Sequence, residues 1–146
     1  MNYEFARYHI EDLKPAEVLQ YLRKSQSDDP SLTVDEVLQR HESILNEWAE
    51  KNLGALVPPE NTYKEIVSGE TIKDRPEINR VLQRIESPHI RAVSVVEPQR
   101  LSRGDLEDIG RLMKLFRYSN TLVITPTKIY NLQEKYDWDA LERELK

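Results

Sequence analysis

Three stretches of this sequence set a serine hydroxyl close to arginines. They are Arg23-Lys24-Ser25, then Ser68-Gly69 with Lys73 and Arg75, then Gln99-Arg100 with Ser102 and Arg103. A guanidinium offers a planar fork of N–H donors that stays charged at any working pH, and a tetrahedral phosphate matches that fork. A lone arginine of this kind is ordinarily solvated or salt-bridged, and a serine at a loop start is ordinarily a cap. Arg23, Arg75, Arg100 and Arg103 arriving at one place would instead make a site for a phosphate.

Rival chemistries lack their signatures. There is no G-x-x-x-x-G-K-[ST] phosphate loop and no G-x-G-x-x-G opening the first helix. The strand ends carry no paired Asp of the kind that holds two metal ions. His9, His41 and His89 fall in different elements without ligand spacing, and the absence of Cys removes thiolate sites and disulfides. No metal or other cofactor is expected.

The elements that must position these residues alternate between strand-like and helix-like periodicity, which predicts an α/β fold with a mainly parallel sheet. The first strand is expected over Glu17–Leu22. A polar loop follows, with Asp28, Asp29 and Pro30 as turn chemistry. Thr33 and Glu36 form a capping box for a helix whose apolar stripe is Val34, Val37, Leu38, His41, Ile44, Leu45, Trp48 and Ala49, with Gly54 after it. A second strand lies within residues 61–67. Pro76 opens a second helix with Ile78, Val81, Leu82 and Ile85 inward. Ala92–Val96 reads as a buried strand. Ser102 and Asp105 are the expected cap pair of a third helix, with Leu106, Ile109, Leu112, Met113 and Phe116 on its buried face. Thr121–Thr125 is a fourth strand, stopped by Pro126. The tail from Tyr136 to Lys146 starts a helix with Asp137 at its cap. In a parallel sheet, ligands collect at the carboxyl ends of the strands, and that is where the three serine–arginine stretches fall.

Length and charge set the frame. The 146 residues suit one domain, with no internal repeat or low-complexity linker. The 26 acidic residues exceed the 21 basic ones, for a net −5, which does not fit a self-sufficient nucleic-acid binder. No apolar run reaches membrane-spanning length. The charged N-terminal stretch has no apolar segment of the signal-peptide kind. The expected setting is the reducing cytoplasm.

Taken in order, these stretches resemble the catalytic domain of the serine recombinases, the resolvases and invertases. Tyr21-Leu22-Arg23-Lys24-Ser25 is similar to the family's Y-x-R-x-S motif, Ser68-Gly69 with Arg75-Pro76 to its S-G…R-P segment, and Arg100-Leu101-Ser102-Arg103 to its D-R-L-x-R motif. The resemblance runs from about residue 17 to 130. The long loop after Ser25 is closer to the large serine recombinases of bacterial mobile elements and transposons. Gln99 stands where the family usually has Asp, and His41 where it often has Gln.

The resemblance implies a three-layer, resolvase-like (flavodoxin-like) fold, with a mainly parallel sheet of four to five strands between helices. It implies that residues 1–146 are a catalytic domain cut near the start of the long C-terminal helix, with the DNA-binding region absent. Ser25 would be the nucleophile of site-specific DNA recombination and integration, forming a 5′-phosphoseryl intermediate that is religated without ATP. Arg23, Arg100 and Arg103 would clamp the phosphate, with Arg75 as a fourth arginine brought by a loop. Tyr21, Gln99, His41, Ser68 and Ser102 would position substrate, and the proton acceptor for Ser25 stays open among Tyr21, Gln99 and His41. The implied partners are DNA and further copies of the chain, dimer to tetramer, with a bacterial or phage origin and no membrane. The alternatives from the residues alone are a non-catalytic phosphate- or partner-binding α/β module, or a phosphohydrolase using the arginine cluster.

Overall fold

β1 (Val18–Arg23) is buried along its whole length, which is what a strand with apolar residues on both of its faces requires. The computed structural model describes residues 10–25, 27–66, 75–102 and 105–146. In it β1 lies within a five-stranded sheet of order β2-β1-β3-β4-β5. The other strands are β2 (Thr62–Glu65), β3 (Ala92–Ser94), β4 (Leu122–Ile124) and β5 (Ile129–Tyr130). The pairs β1–β2, β1–β3 and β3–β4 are parallel, and β5 returns antiparallel beside β4.

Side-chain alternation along β1 sorts the layers. Val18 and Leu22 pack with α1 (Val34–Leu53), through Trp48 and Ala49 at one end and Leu38 and Leu45 at the other. Leu19 and Tyr21 face the opposite core. There they meet α2 (Pro76–Arg84), α3 (Leu106–Tyr118) and α4 (Lys135–Leu145) through Ile78, Val81, Ile109, Leu112, Phe116 and Leu141. The result is helix, sheet, helix: the three-layer α/β architecture expected.

Local chemistry fixes the helix ends. The Thr33 hydroxyl accepts from Glu36 N (3.1 Å) while the Glu36 carboxylate accepts from Thr33 N (3.0 Å), closing the predicted capping box. Gly54 ends α1 at φ +82°, a left-handed conformation that favours glycine. At the start of α2 the cap comes from a neighbouring strand: the Glu65 carboxylate at the end of β2 accepts from Glu77 N and Ile78 N, both at 3.1 Å.

Several expectations need correction. Leu106 is 69 % exposed and Ile44 is also exposed, so neither belongs to its helix's buried stripe. Each sits at the rim of an otherwise buried face. The cap of α3 is Asp105 alone, whose carboxylate accepts from Glu107 N (2.8 Å) and Asp108 N (3.3 Å). Ser102 instead ends a preceding 3-10 turn, Pro98–Leu101. The last helix starts at Lys135, and Asp137 lies inside its first turn, fully buried, with its carboxylate reaching back to Asn131 N (2.9 Å). β3 is shorter than the apolar run that announced it, and β5 was not foreseen as a separate strand.

Candidate active site

The carboxyl end of β1 delivers Arg23 and, two residues later, Ser25. Arg23 projects to the α2–α4 side of the sheet, where the 3-10 turn Pro98–Leu101 follows β3. Its Nε donates to Arg100 O (2.9 Å), and its Nη2 donates to Gln99 O (3.0 Å) and Ser102 O (3.2 Å). Arg75, at the entry to α2 and 0 % exposed, reaches the same turn through Nη1 to Arg100 O (3.4 Å) and Nη2 to Leu101 O (3.1 Å). These buried guanidiniums thus grip the backbone that carries Arg100. Cationic donors to carbonyls are among the stronger protein hydrogen bonds.

The Arg100 side chain is turned toward Ser25. Its Nη1 donates to Arg23 O (3.1 Å) and to Asp28 Oδ2 (2.5 Å), and its Nη2 donates to Asp28 Oδ1 (3.1 Å). Glu97 closes the other side, accepting from Nε at 3.1 Å and also from Nη2. The same Asp28 Oδ2 accepts from Ser25 N at 2.7 Å. His41 on α1 brings its Nε2 to 3.7 Å from Asp28 Oδ1. The Ser25 hydroxyl accepts from Ser27 N (3.1 Å) and lies 2.6 Å from the Ser27 hydroxyl.

These contacts set the local charge states. Burial alone would raise the Asp28 carboxyl. The Arg100 hydrogen bonds, the Ser25 N–H and the Arg100 and His41 charges outweigh it and hold the group below its ordinary value. Burial, aided by the charge of Arg100, pushes His41 below its ordinary value against the pull of Asp28 and Glu97, so its neutral form is favoured. Burial opposes the charge of Arg100, yet the Asp28 and Glu97 carboxylates raise its pKa further.

The structure therefore brings Ser25, Arg23, Arg75, Arg100 and His41 to one edge of the sheet. Arg75 is a buried structural donor, not a residue on an open loop. Three expected positioning residues are placed differently. The Tyr21 side chain points into the core, with its hydroxyl donating to Glu65 Oε2 at 2.9 Å. The Gln99 side chain leaves the site and donates to Glu144 Oε2 on α4 at 3.2 Å, and only its carbonyl serves Arg23. Ser102 is buried and also contributes its carbonyl. Ser68 and Arg103 lie outside the described residues. Sequence reading missed Asp28 and Glu97 as members of this network, and Glu65 as the core partner of Tyr21. The spacing of Glu97 and Arg100, three residues apart in a turn, was the one available signal.

The family match places this fold as the catalytic domain of a serine recombinase. Residues 18–140 match the family described as Resolvase, N terminal domain, and the chain belongs to that family. Two solved structures share the fold. The N-terminal catalytic domain of TP901-1 integrase is similar at TM-score 0.64 and 20 % identity, over 85 % of this chain and 88 % of that one. The C-terminal catalytic domain of ISC1926 TnpA, an IS607-like serine recombinase, is similar at TM-score 0.55 and 19 % identity, over 88 % and 78 %. Among the described residues no helix is long and apolar enough to cross a membrane.

Proposed function

We propose that Ser25 is the nucleophile of this site-specific recombinase domain. Its Oγ attacks a DNA backbone phosphorus, the P–O3′ bond breaks, and the 3′ oxygen leaves as a hydroxyl. The phosphoserine ester at the 5′ end retains the energy of the phosphodiester, so attack by a new 3′-hydroxyl reseals the strand without ATP or another cofactor. Arg100 stabilises charge on the non-bridging oxygens, with Arg103 as its partner in this reading. Arg23 and Arg75 hold the Arg100 turn in place, and neutral His41 orients or receives the serine proton.

The observation that carries this reading is that Ser25 N and Arg100 Nη1 contact one and the same carboxylate oxygen, so serine and guanidinium address a single anion position. The domain acts on DNA as a dimer or tetramer, with most DNA affinity supplied by a region outside residues 1–146, in the cytoplasm of a bacterium or of a phage host.

The test is trapping of the covalent intermediate. In full-length protein, Ser25→Ala should abolish 5′-phosphoseryl DNA while leaving the thermal melt nearly unchanged, since loop polar changes cost within about 0.5 kcal/mol. Persisting adducts in that variant would mean that another residue is the nucleophile.

A further inference from the structure

The carboxylate of Asp28 sits where groups from three separate elements converge: it accepts from Ser25 N–H at the end of β1 and from the Arg100 fork of the 3-10 turn, and His41 Nε2 of α1 lies 3.7 Å away. Asp28 is only 12 % exposed in this position, and Arg100 only 4 %. Arg100 donates to Arg23 O, Asp28 and Glu97, and these bonds engage all three of its nitrogens. A planar carboxylate and two oxygens of a phosphate make the same bidentate demand on a guanidinium. What holds Asp28 there from its own side is short-range. Asp28 N donates to Ser25 O (3.1 Å), and the next turn closes through Asp29 to Ser31 and Leu32. The loop can therefore release Asp28 without disturbing the sheet.

We propose that Asp28 is an internal occupant of the phosphate position. Its carboxylate stands in for the DNA phosphate in the free domain and must leave the Arg100 fork before that phosphate can enter. The proposal rests on the reading of Ser25 and Arg100 given above, and adds a competitor built into the chain. Its function is restraint: the serine meets an activated phosphate only after DNA has displaced the aspartate.

The expected consequence is a binding penalty. A site whose competent form is about a tenth of the molecules binds about tenfold more weakly than the open site would. The 146-residue chain is titrated with inorganic phosphate and, in a second arm, with a short DNA duplex, following the Arg100 Nε–Hε resonance. Asp28→Asn should tighten binding of both by about tenfold. Asp29→Asn, which removes the same charge one residue away without vacating the fork, should change it by less than about twofold. Adding Arg100→Lys to Asp28→Asn should erase the gain. Asp28→Ser, which retains an acceptor for Ser25 N, should reproduce the gain if Asn disturbs the loop.

Equal effects of Asp28→Asn and Asp29→Asn would overturn the proposal, because the gain would then be general electrostatics. Weaker binding in both Asp28 variants would overturn it too, since the carboxylate would then be building the site. A gain for inorganic phosphate with none for duplex would remove DNA phosphate as the displaced group's counterpart. The nucleophile assignment is read in cleavage and the occupancy of the Arg100 fork in these titrations, so the two fail separately.

Discussion

Arg23 and Arg100 hold each other by the backbone: Arg23 Nε donates to Arg100 O at 2.9 Å, and Arg100 Nη1 donates to Arg23 O at 3.1 Å. The exchange ties the end of β1 to the turn after β3, two segments 77 residues apart. It divides the arginines by task. Arg23 serves carbonyls, whereas Arg100 gives the rest of its fork to the Asp28 and Glu97 carboxylates.

That division predicts different outcomes for the same substitution. Arg23→Lys keeps the charge and loses the fork, so buried carbonyls of Gln99, Arg100 and Ser102 lose donors. Unfolding free energy should fall by about 1.5–3 kcal/mol, the range for hydrogen bonds to charged groups. Arg100→Lys also loses buried hydrogen bonds, but it should in addition remove strand cleavage. Urea denaturation of the two variants beside a cleavage assay separates them, and an unchanged midpoint for Arg23→Lys would contradict the carbonyl grip.

Tyr21 supplies an independent check, because its hydroxyl is tied to core structure. Tyr21→Phe leaves one oxygen of the buried Glu65 carboxylate short of a donor, and should cost about 1–3 kcal/mol. Cleavage per folded molecule should be unaffected. Burial and the neighbouring Glu65 push the phenol well above its ordinary 10.0, against the pull of Arg75 and Arg23. The unfolded chain therefore loses this proton first, and the stabilisation is lost as pH rises past 10.0. Phenolate absorbance of Tyr21 should appear only with unfolding.

Acid should weaken the domain in two stages with different owners. His41 faces Arg100, Asp28 and Glu97, and its folded-state pKa lies below 6.5. The unfolded chain takes up that proton first, so stability falls as pH drops below 6.5 until the folded-state value is passed. Asp28 has the carboxylate pattern: its stabilisation is present above 3.8 and is lost as pH falls from there through its lower folded-state value. Denaturation midpoints against pH for the native chain and His41→Gln should diverge in the first window. An imidazole titrating above 6.5 by NMR would mean that the carboxylates prevail over burial and Arg100.

Gly54→Ala isolates a backbone effect. Glycine adopts φ +82° here, and a Cβ would meet nothing within 4 Å. The loss should therefore be the left-handed penalty alone, about 1–2 kcal/mol. The urea midpoint should drop at constant slope.

The parts of this molecule legible in its sequence are those governed by near neighbours. The apolar run that becomes β1, the Thr33–Glu36 box, Pro76 at a helix start and Gly54 at a helix end each follow from residues a turn apart. The serine–arginine edge was legible because strand ends in a parallel sheet face one way. Asp28 was not, because it reads as ordinary turn chemistry beside Pro30, and its partner Arg100 is 72 residues away. The destination of Arg23 was hidden for another reason. Its acceptors are carbonyl oxygens, which every residue type carries, so no letter of the sequence marks them. Leu106 and Ile44 misled because an apolar residue at the rim of a helix stripe satisfies the periodicity without being covered.

The alternation along β1 also constrains how such a chain can change length. Leu19 and Tyr21 face one core and Val18 and Leu22 the other. One residue inserted before Arg23 would exchange the two cores and swing the guanidinium toward α1, away from the carbonyls that receive it. Two inserted residues would restore the facing but carry Ser25 beyond the reach of Arg100. Gain or loss of codons within this strand is therefore barred by parity and by distance alike. Length variation among descendants of this sequence should accumulate after Asp28, in the turns that lead to Thr33.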